Sequence, residues 1–264
     1  MPLQSALGCI RSAGQRDVTH RTGVPFVISD ELDVSIVIPV YNEEAILHAA
    51  IVDLRERLED VSWDYEIVLA ENGSRDQTLQ IAQSLANKYR QVRVISVPEP
   101  NYGRALREGI VAARGRYILC DEIDLCDVDF QNRAIELLDA NMADVVIGSK
   151  LIGGAKDERP MLRHLASKFY TQMLRLLVGF RGTDTHGLKA LRRELILPVA
   201  QVCVVDKDVF SSELVVRAER SGLRMLEIPI RVIEKRTPSI NLIRRIPHVV
   251  KSLARLTWAI RIVR

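Results

Sequence analysis

Three short hydrophobic runs, each rich in β-branched residues, lead directly into acidic or amide side chains. The runs are VSIVIPVYNEE (Val34–Glu44), YEIVLAENGS (Tyr65–Ser74) and RYILCDEIDL (Arg116–Leu125). Each run is too short for a buried helix and is followed by a segment with helical spacing, so the pattern predicts strands that alternate with helices. This alternation is typical of an α/β protein with a mostly parallel sheet, whose strands end at one edge.

Side chains at the carboxyl ends of such strands line the ligand crevice of the sheet. We therefore expect one polar patch from seven residues at these ends, namely Asn42, Glu43, Glu71, Asn72, Asp121, Glu122 and Asp124. So many carboxylates would repel each other unless a cation lay among them. A divalent metal that carries a phosphorylated ligand is the simplest way to relieve this repulsion.

The overall composition limits the classes of protein to which the chain can belong. Its 264 residues are 47% hydrophobic and 27% charged, which suits one large globular α/β domain. The net charge of +3 is too small to indicate nucleic-acid binding. The four cysteines show no CxxC spacing, which favours reduced thiols in a cytosolic protein over a zinc site. We find neither signal-peptide features nor an apolar run of about 20 residues, so we expect a protein that is soluble or lies on a membrane surface.

The chain divides into three predicted segments. Residues 1–30 lack periodicity and are predicted to be a flexible leader, residues 31–239 the α/β domain, and residues 240–264 a helical tail. Within the domain, Ser74 and Gln77 have the spacing of a capping box at the start of a helix.

The turn PVYNEE after the first strand combines a rigid backbone with an aromatic ring and short polar groups. Pro39 fixes the backbone, and Tyr41, Asn42 and Glu43 follow at the sheet edge. A ring beside a short polar group suits a nucleobase and its ribose. The alternative is an ordinary strand-to-helix turn in which Asn42 caps the helix.

Two further turns carry candidate ligand contacts. In ENGS, Gly73 suits a tight bend, whereas Glu71 and Asn72 are the candidates for ligand binding. In NYGRALREG, Arg104 could bind phosphate at the start of a helix, although a solvated helix charge is the alternative. The acidic loop DEID is the strongest signal, because Asp124 just beyond a buried strand could hold a cation that bridges two phosphates.

Taken in order, these motifs resemble glycosyltransferase family 2, whose members have the inverting GT-A fold. The resemblance covers residues 34–239, and within the family the chain looks most like polyprenol-phosphate glycosyltransferases of the dolichol-phosphate mannose synthase type. The later segments that carry this second resemblance are IGSK (147–150), LRHLASKF (162–169), GTDTHGLKALRRE (182–194), FSSELVVRA (210–218) and EIPIRVIEKRTPS (227–239).

The resemblance implies a GT-A, Rossmann-like domain that binds a nucleotide-sugar together with Mg²⁺ or Mn²⁺. The implied metal ligands are Asp124 and Glu122. The implied nucleotide-binding residues are Pro39, Tyr41, Asn42, Glu43, Glu71, Asn72, Arg104, Asp121 and Glu122. The chain departs from the family where Glu71-Asn72 replaces paired aspartates, where Glu122 replaces the first residue of Asp-x-Asp, and where Cys126 replaces a frequent polar ligand.

The resemblance also implies roles for residues later in the chain. Lys150, Arg163 and Arg236 match positions that hold phosphate groups, with solvated charges as the alternative. The implied catalytic residues are Asp124, Arg163, Asp184 and Glu213. His186 is a further candidate base, although a lone histidine is more often structural.

The C-terminal segment is basic and amphipathic. From Lys235 to Arg264 it contains eight Lys/Arg residues and no acidic residue. Pro247 is predicted to open a helix with an apolar face, and Trp258 with the basic residues suits an anionic membrane surface. The alternative is a helix docked on the domain itself or on a partner. The sequence offers no aromatic platform or known module for nucleic acid.

These observations predict inverting transfer of a hexose from GDP-mannose or a UDP-sugar to a polyprenyl or dolichyl monophosphate. The enzyme is expected to be cytoplasmic and peripheral to the cytoplasmic face of the membrane. One alternative keeps the fold but uses a hydroxyl acceptor on a small molecule or glycan, with Asp184, His186 or Glu213 as the base. The other is a nucleotide-binding homologue without catalysis.

Overall fold

A seven-stranded sheet forms the centre of the computed structural model, which describes residues 32–157, 161–232 and 242–261. The strands are β1 (Val34–Val40), β2 (Tyr65–Asn72), β3 (Val92–Val97), β4 (Tyr117–Cys120), β5 (Val145–Ser149), β6 (Lys156–Asp157), β7 (Lys189–Arg192), β8 (Met225–Pro229) and β9 (Arg231–Val232). The helices are α1 (Leu47–Arg57), α2 (Thr78–Lys88), α3 (Tyr102–Ala112), α4 (Val128–Asp139), α5 (Met161–Val178), α6 (Arg193–Gln201), α7 (Phe210–Arg220) and α8 (Leu242–Arg261). A 3₁₀ turn spans Lys207–Val209.

The strand order in the sheet is β3-β2-β1-β4-β7-β5-β8, and β6 pairs with β9 separately. β1 pairs in parallel with β2 and β4, and β2 pairs in parallel with β3. β7 lies antiparallel between β4 and β5, and β5 pairs in parallel with β8. Every strand of the sheet except β7 therefore ends at the same edge, as the sequence predicted for an α/β protein with a mostly parallel sheet.

Two hydrophobic layers cover the faces of this sheet. Helices α1, α2 and α4 pack on one face, and helices α3, α5, α6, α7 and α8 pack on the other. The strands that read as continuous apolar runs are buried on both faces, as in β1, where Ile36, Val37 and Ile38 are fully buried. This packing holds the strand ends, and the loops that follow them, in fixed positions.

Two predicted helix starts are wrong. The Ser74–Gln77 capping box does not form, because Ser74 Oγ accepts from the amide of Asn42 instead. Helix α2 begins at Thr78, whose amide donates to Asp76 Oδ1 at 3.0 Å. Helix α8 begins at Leu242, so Pro247 lies inside this helix rather than opening it.

The C-terminal helix α8 packs its inward side against the domain. Leu253, Leu256 and Ile260 belong to the same hydrophobic cluster as α5 and α7. Arg217 and Arg220 on α7 donate to the carbonyl oxygens of Ala259 and Ile260, respectively. A domain boundary at residue 239 stays a prediction, and the predicted leader at 1–30 lies outside the described residues. Among the helices described, none is long and apolar enough to span a membrane.

Candidate active site

The loops that follow β1 and β2 are joined by side-chain hydrogen bonds at the carboxyl edge of the sheet. Asn42 has a φ of 53° and accepts from the amide of Arg75 at 2.9 Å. Its own amide donates to Ser74 Oγ at 3.0 Å. Tyr41 beside it is 39% exposed, and Pro39 lies within β1. Helix α1 begins at Leu47 with Ile46 as its N-cap, so Asn42 does not cap this helix and instead fixes the neighbouring loop.

Glu71 is buried at the end of β2, where its carboxylate shapes the turn. One oxygen accepts from the amide of Ser74 at 2.5 Å, and the other accepts from the Ser96 hydroxyl at 2.6 Å. Glu43, in the first loop, donates its amide to Thr78 Oγ1 at 2.7 Å. Both carboxylate oxygens of Glu71 thus have protein partners, so a nucleotide would meet the turn that Glu71 holds rather than a solvated carboxylate.

Asn72 begins a second series of hydrogen bonds, which runs through Asn101 to Lys207 in the 3₁₀ turn before α7. Its Oδ1 accepts from the amide of Asn101 at 2.5 Å. Asn101 Oδ1 in turn accepts from the amides of Arg104 and Lys207. Asn101 therefore caps α3, and the exposed Arg104 lies in the first turn of this helix. Gly103 must stay small, because a Cβ there would lie 2.3 Å from the carbonyl oxygen of Lys207.

The acidic loop after β4 places one buried carboxylate behind two that are more accessible. Asp121 is buried and accepts from Gln131 Nε2 at 2.8 Å, and burial raises the pKa of Asp121 to about 6. Glu122 reaches solvent, and Asp124 is half-buried. Desolvation by the surrounding protein, followed by the charge of Asp124, raises the pKa of Glu122. Cys126 closes the loop with a φ of 44°, a conformation that is strained for a residue with a side chain.

Two lysines lie beside this acidic loop. Lys189 is buried at the start of β7, and its Nζ donates to the carbonyl oxygen of Gly187 at 2.7 Å. Lys150 follows β5, and its Nζ lies 2.7 Å from Asp184 Oδ2. Both lysine charges oppose the rise in the pKa of Glu122, so both lysines lie within electrostatic range of the acidic loop.

Asp184 is held in its ionised form. Burial alone would raise the pKa of Asp184, but Lys150 and the amide of His186 outweigh this effect and hold the pKa below its usual value. The amide of His186 donates to Asp184 Oδ1 at 2.9 Å. A carboxylate with a low pKa is a weak proton acceptor, so this arrangement disfavours Asp184 as a general base.

A cavity of about 270 Å³ opens beside this ion pair, between α5 and the turn before β7. Its walls are formed by Lys150, Ala166, Ser167, Tyr170, Thr171, Asp184, Thr185 and His186. Arg163 lies on the same side of α5 as Ser167 and Tyr170, since these residues are four and three positions apart. Lys150 and Arg163 are thus close to one polar cavity, whereas Arg236 lies outside the described residues.

The turn at 182–187 is held from three sides by residues that the sequence analysis missed. Glu227 on β8 accepts from the amide of Thr183 at 2.6 Å and from its hydroxyl at 2.7 Å. Thr171 donates to the carbonyl oxygen of Thr183, and Ser149 Oγ lies 2.7 Å from Thr183 Oγ1. The EIPIR motif includes Glu227, and this motif was the signal that could have identified the support of the turn.

Glu213 is fully buried at the start of α7. Its carboxylate accepts from the amides of Val204 and Val205 and pairs with Arg217 at 2.8 Å. These partners belong to the loop before the helix and to the helix itself. The contacts give Glu213 a structural role, and its assignment as a catalytic residue stays a prediction without support from this geometry.

The carboxylates of Glu122 and Asp124 in the acidic loop suit a hard cation whose other ligands are substrate phosphates and water. Within the described residues, no three His, Cys, Asp or Glu side chains form a ready-made metal site. Glu122 and Asp124 are nevertheless close enough for the charge of one to raise the pKa of the other. Mg²⁺ is commonly bound by one or two carboxylates together with substrate phosphates and water, which is the arrangement that these two carboxylates allow.

The sequence profile of glycosyl transferase family 2 matches residues 35–197, more than half of the chain. The chain belongs to glycosyl transferase family 2. Its sheet has the GT-A architecture of solved structures that share this fold.

Two proteins of known name are similar in sequence to this chain over most of its length. It is 27% identical over 236 residues to glycosyltransferase AglD of Haloferax volcanii, a match that covers 88% of this chain but 38% of that protein. It is 29% identical over 223 residues to dolichyl-phosphate beta-glucosyltransferase ALG5A of Trichomonas vaginalis, covering 78% of this chain and 68% of that protein. The chain thus spans well under half the length of the first relative.

Solved structures share the fold at lower identity. Glucosyl-3-phosphoglycerate synthase of Mycobacterium tuberculosis, in complex with Mn²⁺ and UDP-glucose, matches with a TM-score of 0.61 at 22% identity. The match covers 86% of this chain and 79% of that chain. TarS of S. aureus, in complex with UDP-GlcNAc, matches with a TM-score of 0.56 at 15% identity, over 85% of this chain and 66% of that chain.

Proposed function

We propose that this glycosyltransferase transfers a hexose from a nucleotide-sugar to a polyprenyl monophosphate, with inversion at the anomeric carbon. The observation that carries the proposal is the polar cavity in which Lys150 pairs with Asp184, beside the acidic loop of Glu122 and Asp124. A phosphate in this cavity would face the metal-binding side of the sheet edge. The related ALG5A protein is named as a dolichyl-phosphate beta-glucosyltransferase, which supports the same class of acceptor.

The donor is proposed to bind at the loops after β1 and β2. Tyr41 is exposed there, and Asn42, Glu71 and Asn72 hold the loops in place. Structural neighbours were crystallised with UDP or a UDP-sugar, so UDP-glucose is the first donor to test, followed by GDP-mannose. Glu122 and Asp124 would hold Mg²⁺ or Mn²⁺, which when bound neutralises charge on the diphosphate leaving group.

The protein residues around the cavity favour a phosphate acceptor over a hydroxyl acceptor. A hydroxyl must lose a proton to a base, and Asp184 is ion-paired with a lowered pKa. A phosphate monoester has a second pKa of about 6 and is largely ionised at neutral pH, so it can attack without a strong protein base. Lys150 and Arg163 would hold this dianion and align it, which is the main contribution asked of the protein.

Helix α5 connects this polar cavity with an apolar surface. Its inward side lines the cavity, whereas Met161, Leu165, Phe169 and Leu176 on the opposite side are between 55% and 79% exposed. We call these four side chains the α5 stripe. Large exposed apolar side chains concentrated on one side of a helix are unusual on a monomeric soluble protein.

Helix α8 extends this surface and adds positive charge. Trp258 on α8 is 55% exposed and borders an apolar groove of about 550 Å³ between α5 and α8. Lys251 and Arg255 on the same helix are exposed. Apolar side chains next to cationic ones suit the surface of an anionic membrane. We therefore propose that the protein binds peripherally to a membrane, with the cavity close to the headgroups that carry the acceptor phosphate.

The acceptor site is tested by changing Arg163 to Ala. One charge-assisted hydrogen bond contributes about 1.5–3 kcal/mol, so R163A should raise the KM for a short polyprenyl phosphate by about 10- to 150-fold. The affinity for UDP-glucose, measured by calorimetry, should stay unchanged. Lys168→Ala on the exposed side of α5 is the matched control and should behave like the wild-type protein. If R163A weakened nucleotide binding instead, Arg163 would belong to the donor site.

A further inference from the structure

The Lys150–Asp184 ion pair brings together two segments that are far apart in sequence. Lys150 follows β5, and Asp184 lies in the turn at 182–187. Both side chains are largely buried, with 11% of the Lys150 side chain and 5% of the Asp184 side chain exposed. The position of these two segments relative to each other therefore decides where the Lys150 ammonium lies in the polar cavity.

Glu227 on β8 holds the segment that carries Asp184. Its Oε1 accepts from the backbone amides of Thr183 at 2.6 Å and of Asp184 at 3.3 Å. Its Oε2 accepts from the Thr183 hydroxyl at 2.7 Å. One carboxylate thus receives three hydrogen bonds from two successive residues, which fixes the orientation of the turn relative to the sheet.

The same network continues to the residues on either side of Lys150. Ser149 Oγ lies 2.7 Å from Thr183 Oγ1 and accepts from the amide of Leu151 at 3.1 Å. The Thr183 hydroxyl has a single hydrogen, which it donates to Glu227, because a carboxylate oxygen can only accept. The Ser149 hydroxyl therefore donates to Thr183. The hydrogen bonds run in one direction, from Leu151 through Ser149 and Thr183 to Glu227.

Burial makes this network difficult to replace by water. Ser149 is 0% exposed, so its hydroxyl would stay unsatisfied if the Thr183 hydroxyl were removed. Thr171 on α5 donates to the carbonyl oxygen of Thr183 at 2.8 Å and fixes the turn from a further side. Thr183 therefore connects β5 and β8 with the helix that lines the cavity.

We propose that Glu227 is a positioning residue for the acceptor, because it anchors the hydrogen bonds that set where Lys150 meets the acceptor phosphate. This assignment rests on the proposed function, since it takes the phosphate monoester as the ligand of Lys150. Among the residues described, Glu227 is not one of those that line the cavity, so it acts through Thr183 and Asp184. A misplacement of about 1 Å caused by a residue away from the chemistry can lower a rate by about 10².

Thr183→Val breaks the network at its centre, because it keeps the shape of the side chain and removes the hydroxyl between Ser149 and Glu227. We expect T183V to lower kcat/KM for farnesyl phosphate by about 3- to 10-fold, the effect of losing one neutral hydrogen bond. T183S keeps the hydroxyl and should stay within about 2-fold of the wild-type value. The dissociation constant for UDP-glucose, measured by calorimetry, should be the same in all three proteins.

Glu227→Gln perturbs the same network from β8. The side-chain oxygen of Gln must face the two backbone amides, so its NH₂ group faces the Thr183 hydroxyl and turns that hydrogen towards Ser149. The hydrogen of the buried Ser149 hydroxyl then loses its acceptor. E227Q should therefore also lower kcat/KM for farnesyl phosphate by about 3- to 10-fold. Glu136→Gln, exposed on α4, is the matched control and should behave like the wild-type protein.

A double-mutant cycle with Lys150→Met separates positioning from a general effect on folding. K150M removes the ammonium and keeps most of the length of the side chain. If Glu227 acts through Lys150, T183V and E227Q should each change kcat/KM by less than about 2-fold in the K150M background. Equal losses in the wild-type and K150M backgrounds, or no loss in the wild-type background, would overturn the inference.

The same assays distinguish this outcome from failure of the proposed function. If the wild-type full-length chain transfers sugar to farnesyl phosphate but the cycle is additive, only the positioning role of Glu227 is wrong. If the wild-type chain transfers no sugar to farnesyl phosphate from UDP-glucose or GDP-mannose, the proposed function fails, and the positioning role fails with it.

Discussion

Asp124 illustrates how a single residue links the local chain to the proposed chemistry. It is half-buried in the loop after β4, and its charge raises the pKa of the neighbouring Glu122. This repulsion would be relieved by a cation, and because it disfavours the folded state when no cation is bound, the charge of Asp124 is not required for folding. Substitution of Asp124 should therefore change the activity of the protein without changing its stability.

Asp124→Asn keeps the shape of the side chain but removes its charge. We expect this substitution to lower kcat/KM at least 100-fold, since loss of a single electrostatic contact to the transition state typically costs about 10²–10³. Circular dichroism should show an unchanged fold. Asp129→Asn, an exposed position in the first turn of α4, is the control and should retain activity. Full activity of D124N, or full activity of the wild-type protein in EDTA, would remove the metal from the mechanism.

Glu66 provides a second test, away from the site. It lies near the start of β2 and accepts from Ser35, from Arg93 and from the amide of Arg114. Burial alone would raise the pKa of Glu66, but these donors lower it below its usual value. A carboxyl whose pKa is lower in the folded state stabilises the fold above its unfolded pKa of about 4.3 and loses this effect as the pH falls further.

Glu66→Gln should therefore lower the free energy of unfolding by about 1–3 kcal/mol at pH 7. The difference from the wild-type protein should shrink as the pH falls below about 4.3. Urea denaturation at several pH values measures both quantities. Glu56→Gln, exposed on α1, is the control and should change stability little. A constant difference at all pH values would show that packing, rather than the ionised carboxylate, explains the loss.

At the scale of secondary structure, helix α5 lies between the polar cavity and the exposed apolar surface. Its α5 stripe carries the proposal that the protein docks on a membrane. Met142, in the turn between α4 and β5, is 64% exposed and serves as a control position for an exposed apolar side chain outside this stripe. The turn before β5 lies at the edge of the sheet opposite to the active site.

Replacing Leu165 and Phe169 together by Gln should lower binding to anionic liposomes at least 10-fold. Each substitution removes a large apolar side chain from the membrane contact, and burying such a side chain is worth about 1.5–3 kcal/mol. Transfer to water-soluble farnesyl phosphate should be retained, because the cavity side of α5 is unchanged. Met142→Gln should bind liposomes like the wild-type protein. Equal liposome binding by all three proteins would exclude the α5 stripe as the membrane contact.

The elements that the sequence predicted are those determined by local pattern. Apolar runs and the polar residues after them identified β1, β2 and β4, because these strands are buried on both faces and their ends form the site. Helix α6 was missed, since Pro198 within it is a local signal for a helix end. The antiparallel insertion of β7 between β4 and β5 depends on pairing across the chain, which no local period reveals.

Over the whole molecule, the positions of residues at the strand ends could be predicted from the sequence. The partners that each of these residues contacts could not. The Lys150–Asp184 pair and the hydroxyl contacts of Ser212 with Tyr170 and Thr185 join segments that are far apart in sequence. Such contacts follow from tertiary packing and not from spacing. From the sequence, Glu71 was predicted to bind the nucleotide and Glu213 to be catalytic. In the structure, the carboxylate of each residue instead accepts hydrogen bonds that hold a loop.

The central claim is that the acceptor is a lipid phosphate. The most direct measurement incubates the full chain with UDP-glucose and Mg²⁺ or Mn²⁺, in parallel with a polyprenyl phosphate and with the matched polyprenol, and identifies the products by mass spectrometry and NMR. GDP-mannose is run in the same way. We predict a hexosyl phosphate lipid with an inverted anomeric carbon, and no product on the polyprenol. A sugar attached to the polyprenol or another hydroxyl compound, with none on the phosphate, would contradict the account.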